Sequence, residues 1–483
     1  MSRPAILPAE PASPADAAAA IANDWPEALR PALAILAKQI MLYPGLVGGG
    51  VRRTIEAINA AIDRLMGSQL NLILHHSEFQ ALEASWRGVH YIVRNVDTSP
   101  MVKIKLFSIS KREIARTLRK FHGTAWDQSP LFRKLYEEEY GQFGGEPYGV
   151  LIGDYDFDHR PEDVQILTDM SAIAAATHCP FIAGAAPALM QMESWAELAN
   201  PRDLTRIFQT PEYTAWRSLR ENEDSRYLGL CMPRVLARVP YGPLTDPIDD
   251  FAFEEEVEGP DAANYAWMHP AYAMGTNIAR AFSLYGWCSR IYGIETGGVV
   301  DGLPSLTFPT ADGGVDVKCI AEIALDERRE SELARSGLMP LVHRKNSDLV
   351  AFISAHSLQK PMVYDDDAAT ANAVMSARFP YLFASCRFAH YLKCIVRDKI
   401  GSAMSQSEVQ GWLNNWIRTY VDGSSGTSSE SWKASHPLEA AKVIIEERPD
   451  KPGHFEAKFF LRPHYQLEGL TVALRLVSRM PSA

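Results

Sequence analysis

The spacing of apolar and polar residues divides the chain into segments of different period. From Arg52 to Leu74, Ile55, Ile58, Ile62 and Leu65 recur at three- and four-residue intervals, the period of an amphipathic helix. A second helix is predicted over Leu74–Val93, where Phe79, Leu82, Trp86 and Val89 form one apolar stripe. That stripe is expected to pack on a core, with the histidines His75 and His76 at the helix start. The period then changes. Val102–Ile109 (VKIKLFSI) alternates as a half-buried strand does. Tyr148–Tyr155 (YGVLIGDY) is a nearly continuous apolar run ending in turn-forming residues, as in a strand buried on both faces. PEDVQILTDMSAIAAATH, with Pro161 near its start, predicts a helix, and CPFIAGAA a further strand. Strand, helix, strand is the rhythm of an α/β layer.

Toward the C-terminus, Leu382, Cys386, Ala389, Leu392 and Val396 mark one face of a helix over Tyr381–Ile400. Beyond a Ser/Gly-rich loop at 421–431, strict alternation returns. Phe455, Ala457, Phe459 and Leu461 share one face of a predicted strand, and Leu470, Val472, Leu474 and Leu476 share one face of another. The connection RPHYQLEG makes the two a candidate hairpin. The fold class is therefore mixed α/β (α+β). Tyr43–Gly50 and Tyr364–Asn372 are breaks, giving a flexible N-terminal arm with a proline-interrupted helix (1–50), a larger α/β region (51–368) and a C-terminal region (369–483).

Composition narrows the function. The net charge is −11, which argues against nucleic acid as the main partner, since phosphate binding needs clustered Lys and Arg. Pro243–Asn264 holds eight acidic residues and no basic one, a run expected to be solvated or to face a cationic partner. The six cysteines show no CxxC spacing, so they read as buried thiols of a reducing, cytoplasmic compartment. Met170–Met190 carries no formal charge, but Pro180 and Pro187 make it a buried helix and strand and not a membrane span.

His75 and His76 are neighbours, so on a helix they point about 100° apart and cannot share one ion. His75 with Glu78 could share a face, and a metal-dependent enzyme using His75, His76 and Glu78 stands as an alternative. Asp154, Asp156 and Asp158 resemble a calcium loop, but His159 and Gln165 occupy the positions where Gly and Glu are needed. The glycine-rich stretches match neither phosphate-loop nor dinucleotide patterns. Arg217 with Glu221, and Arg220 with Asp224, are spaced as i,i+4 ion pairs and are expected to form a self-satisfied charged network. No catalytic signature emerges, which suits a protein whose function is its surfaces.

LHHSEFQALEASWRGVHYIV (74–93), YGQFGGEPYGVLIGDYDF (140–157), WRSLRENEDSRYLGL (216–230), FISAHSLQKP (352–361), YLFASCRFAHYLKCIVRDKIGS (381–402) and FLRPHYQLEGLTVALRLVSRM (460–480) resemble the large sheath subunit of bacterial type VI secretion systems, the TssC/VipB family. The resemblance runs in order from about residue 55 to 480. It departs mildly at Glu327, Asn222 and Ser225, and more in the first 50 residues. It implies a contractile phage tail-sheath-like C-terminal core and no cofactor. It also implies pairing with a small TssB subunit and polymerisation around an Hcp tube on a baseplate, with contraction driving the tube and its spike outward. Recycling by the ClpV ATPase would engage an N-terminal helix, for which Ala28–Ile40 is the best segment. In such sheaths, strands of neighbouring subunits complete one another's sheets, so the 455–461 and 470–476 strands are inter-subunit candidates, an ordinary internal hairpin being the alternative. A sheath paralogue that does not polymerise is a further alternative.

Overall fold

The computed structural model describes residues 51–200, 203–249, 251–257, 264–309, 313–345, 347–399, 406–423, 427–447 and 455–464. The expectations for residues 1–50 and for Leu470, Val472, Leu474 and Leu476 fall outside them. The chain divides into two compact units, residues 1–80 with 239–265, and residues 81–238 with 266–483.

In the first unit, helix α1 (Val51–Leu74) meets the acidic segment. Ile58 is buried, but Ile62 and Leu65 are 47% and 74% exposed, so only part of the predicted stripe finds a core. Phe253 is buried beside Gly67. The Asn71 amide donates to the carbonyl of Glu254 at 3.4 Å and accepts from the N–H of Glu256 at 3.1 Å. The acidic run is thus not wholly solvated: its backbone is hydrogen-bonded to the helix, and Glu255 is buried.

The second unit is built on a six-stranded mixed sheet. Its strands are β1 (Leu151–Phe157), β2 (Phe181–Ala185), β3 (Leu228–Met232), β4 (Val299–Val300), β5 (Leu338–His343) and β6 (Val350–Phe352), in spatial order β1-β2-β3-β5-β6-β4. The first four in that order are parallel, and β6 is antiparallel to both its neighbours. The β1–helix–β2 unit expected from the sequence is present, its helix running Pro161–Thr177 with Pro161 in the first turn. Parallel strands need cover on both faces, which is why every residue of β2 and β3 is buried. The Pro161–Thr177 helix packs its Leu167, Met170 and Ile173 with Phe181, Ala183, Leu228 and Leu230; Pro270–Tyr285 also packs against β1, β2 and β3.

Helix α2 (Ser77–Asn95) corrects one expectation. Gly88, Tyr91 and Ile92 are its buried residues, whereas Phe79, Leu82 and Trp86 are 37%, 57% and 64% exposed. At about 100° per residue these three lie some 120–180° around the helix from Gly88. The helix carries two apolar stripes, and periodicity cannot say which one the fold covers. Val102–Ile109 is the other departure: it forms no strand beyond an isolated bridge at Val102, and Leu106 and Phe107 are exposed.

The C-terminal part contains the predicted helix, Phe379–Lys399, followed by α3 (Gln406–Arg418) and an antiparallel pair, β7 (Leu438–Glu447) and β8 (Phe455–Pro463). Trp287, Phe388, Leu392, Leu413, Ile417, Leu438, Val443 and Ile445 form its core, with Phe459 and Leu461 packed against it.

Candidate assembly surfaces

His75 and His76 fall in the turn between α1 and α2. His75 Nε2 lies 3.5 Å from a carboxylate oxygen of the buried Glu255, whose other oxygen accepts from the N–H of Tyr241 at 3.0 Å. His76 and Glu78 are exposed, so the three residues of the metal reading do not converge. Among the described residues no group of His, Cys, Asp and Glu is placed to hold a metal ion. The aspartates at the end of β1 have separate partners too. Asp154 accepts from the Ser85 hydroxyl, Asp156 lies 3.4 Å from His269, and Asp158 caps the N–H of Arg160 at 2.7 Å. Burial works against the Asp156 charge, yet His269, Arg234 and Lys111 together hold its carboxyl below the usual value.

The charged stretch 216–230 differs from its expectation. The helix ends at Glu221 under the cap residue Asn222, so Asp224 is no longer one turn from Arg220, and neither predicted pair forms. Instead Arg217 donates to the carbonyls of Phe208 and Thr210, both at 2.8 Å. Arg220 donates to those of Leu358 and Arg335 at 3.0 and 3.1 Å. Burial brings the Arg220 guanidinium down to about 10. These arginines tie loops to the helix and offer no anion site.

A buried ion pair that the sequence does not signal fixes the second turn of α2. Arg238 forks onto Glu83 at 2.7 and 3.3 Å, and Arg87 reaches the same carboxylate at 2.7 Å. Burial opposes the Glu83 charge, but Arg238 and Arg87 hold its carboxyl below the usual range. The two residues are 155 positions apart, so no local pattern marks them.

Cys179, Cys231 and Cys386 are buried free thiols, all pushed up by burial, and therefore poor nucleophiles. No helix among the described residues is long and apolar enough to cross a membrane. What the molecule presents is surface. The exposed stripe of α2 (Phe79, Leu82, Trp86) continues to Val93, which is 51% exposed, and a large apolar face left open commonly marks an interaction site. The inter-subunit candidates Phe455, Ala457, Phe459 and Leu461 do lie on a strand, β8, whose pairing partner among the described residues is β7; the 470–476 segment lies outside them. Leu438–Glu447 carries no strict alternation of polar and apolar residues, so no local pattern marks it as the partner.

These features belong to a tail-sheath protein: residues 56–359 match the family EvpB/VC_A0108, tail sheath N-terminal domain, and residues 368–480 match its tail sheath gpW/gp25-like domain, so the chain belongs to the VipB tail-sheath family. Among individual proteins it is 61% identical over 457 residues to the type VI secretion system sheath protein TssC1 of Pseudomonas aeruginosa PAO1, covering 95% of this chain and 92% of that protein. Among solved structures it has weak likeness to a chain of the anti-feeding prophage baseplate (13% identity, 78% of this chain and 83% of that one, TM-score 0.38). A chain of the contracted anti-feeding prophage sheath is weaker still (12% identity, 64% and 66%, TM-score 0.30).

Proposed function

We propose that this chain is the large structural subunit of a type VI contractile sheath, and that it is not an enzyme. The observation that carries the reading is the 61% identity, over nearly the whole chain, to a protein named as such a sheath component. In this reading it pairs with a TssB-like small subunit in the bacterial cytoplasm. The heterodimers polymerise around an Hcp tube on an envelope-anchored baseplate, and contraction moves the tube. ClpV recycling would act through residues 1–50, and 368/369 would divide the two sheath regions. The energy released would come from the difference between two inter-subunit packings and not from a chemical step.

The open apolar stripe of α2 supports this reading, because a subunit buried in a polymer can leave such a face uncovered when alone. A β-strand edge at the C-terminus supports it as well, since main-chain pairing joins chains regardless of side chain. Co-expression with the small subunit should give a heterodimer and hollow tubules by electron microscopy. Leu82→Asp with Trp86→Asp should abolish the tubules while leaving the melting of the isolated chain nearly unchanged, as surface substitutions do. A chain that ignores the small subunit refutes the proposal; a heterodimer that never polymerises would make it a non-polymerising paralogue. Leu474→Asp with Leu476→Asp tests the strand predicted from the sequence over 470–476: tubules should fail while the heterodimer survives.

A further inference from the structure

The two edges of the C-terminal β7–β8 pair are not equivalent. Helix α3 runs alongside β7, and Gln406, Gln410 and Asn414 fall at successive four-residue steps on it. Four helical residues rise about 6 Å, and two strand residues advance about 6.6 Å. This near match lets one row of side-chain amides meet alternate residues of a strand edge.

The row does so. Asn414 Nδ2 donates to the carbonyl of Val443 and its Oδ1 accepts from the N–H of the same residue, both at 2.9 Å. Gln410 Oε1 accepts from the N–H of Ile445 at 2.9 Å, and Gln406 Nε2 donates to the carbonyl of Ile445 at 2.6 Å. Each primary amide carries the donor and acceptor of a peptide group, so the row imitates a neighbouring strand. At the start of β7, the main chain takes over. The carbonyl of Leu438 accepts from the N–H of Asp422 at 2.9 Å, and its N–H donates to the carbonyl of Tyr420 at 3.3 Å. The side chains of Val443 and Ile445 meanwhile point into the core with Leu413 and Ile417, which holds α3 in place.

The other edge follows from the register. Val443 stands opposite Phe459, and Ile445 opposite Ala457. Since the N–H and C=O of Val443 and Ile445 point away from β8, those of Phe459 and Ala457 point away from β7. Leu461, opposite Ala441, continues that set. Among the described residues β8 pairs with β7 alone.

We infer that strand addition to this sheet is one-sided. The amides of Gln406, Gln410 and Asn414 shut the β7 edge against other copies of the chain, and an added strand pairs along Ala457, Phe459 and Leu461 of β8. This deepens the proposed function and rests on its reading that the sheet joins subunits. The added segment must place apolar side chains at alternate positions to continue the face of Phe459 and Leu461; the opposite side of β8 carries Lys458, Phe460 and Arg462, all exposed. A second copy that added its own β8 segment would meet that pattern. An unprotected strand edge is a site of uncontrolled association, and the amide row removes one of the two.

The test uses the full chain, its Gln410→Leu/Asn414→Leu variant, and a synthetic peptide of residues 455–463 carrying a photo-crosslinker as the probe. Amide hydrogen exchange at Val443 and Ile445 should accelerate at least tenfold in the variant, with exchange in β8 unchanged. The peptide should crosslink only beside β8 in the wild type, and beside both β7 and β8 in the variant. Unchanged protection at Val443 and Ile445 overturns the inference, as does lost protection without new crosslinks beside β7, or β7 crosslinks in the wild type. If the double variant does not fold, Gln410→Leu alone serves instead. It removes the acceptor for the Ile445 N–H and leaves Asn414 on Val443, so exchange should accelerate at Ile445 only, with weaker crosslinking beside β7. Absence of peptide crosslinks beside β8 in both proteins would refute the sheet-joining reading, while the exchange and β7 results still judge the amide row.

Discussion

Gly88 sets the approach of α2 to the core, and replacing it by alanine brings two known effects into opposition. Alanine in a helix interior is favoured over glycine by about 1 kcal/mol. A Cβ at position 88, however, would sit 2.3 Å from two ring carbons of Tyr272 and 2.9 Å from a third. Ordinary carbon contact lies at about 3.5–4 Å, so the ring must shift by roughly 1 Å or more. Tyr272 cannot swing aside freely, being only 9% exposed on the Pro270–Tyr285 helix. Overpacking of a well-filled site costs about 1–3 kcal/mol, and a displacement this large belongs at the upper end. The net expectation for Gly88→Ala is a destabilisation of about 1–2 kcal/mol. Gly67→Ala on α1 is the matched control, because its nearest neighbour, a ring carbon of Phe253, lies at an ordinary 3.6 Å. There the helix preference acts alone, and stability should rise by up to about 1 kcal/mol. Urea titrations of the purified chain, followed by tryptophan fluorescence, measure both. A Gly88→Ala protein as stable as Gly67→Ala would refute the close contact and with it the placement of α2.

Three further outcomes are expected. His390 is 2% exposed; burial, with Arg387, His178 and Lys393 nearby, outweighs its hydrogen bond to the Thr177 carbonyl and brings it down to about 4. The unfolded chain, titrating near 6.5, then binds the extra proton first. The stability this histidine holds above pH 6.5 is therefore lost as pH falls toward 4, by roughly 2 kcal/mol at pH 5. A His390→Gln variant should show a shallower loss of urea midpoint between pH 7 and 5; an unchanged slope would exclude His390 as a source. Glu83→Ala removes the carboxylate onto which the buried Arg238 forks, and should cost about 3–5 kcal/mol, read as a lowered urea midpoint, against less than about 1 for Arg87→Ala at its more exposed position. Arg220→Met should destabilise by about 1–3 kcal/mol by leaving the carbonyls of Leu358 and Arg335 without their donor; thermal melting within error of wild type would show that water replaces it.

Local pattern was a good guide wherever one period had one outcome. The β1–helix–β2 unit was legible because continuous apolar runs bounded by Pro and Gly admit few alternatives, and the structure has it at Leu151–Ala185. The helix Phe379–Lys399 was legible from its single apolar stripe, Leu382 to Val396. The strand over 455–463 was legible, but its partner was not. Alternation says that a segment can pair, while the choice of Leu438–Glu447 depends on a core assembled from Trp287 to Ile445. The amide row was readable in principle as three amides at four-residue steps, yet on a helix such spacing means nothing until a strand edge lies beside it.

By itself the sequence determined the class of the fold, the β1–helix–β2 unit, the Phe379–Lys399 helix and the β8 strand and, through long idiosyncratic blocks, the tail-sheath family. Those properties depend on neighbours within a turn or two, or on the order of whole segments. Only the tertiary structure decided which of the two apolar stripes of α2 is covered, that His75 faces Glu255, and that Arg220 serves carbonyls from distant loops. It alone showed which edge of the C-terminal sheet is closed. Each of these is set by groups far apart in the chain, and burial is a property of the face that a partner reaches, which no single segment can specify.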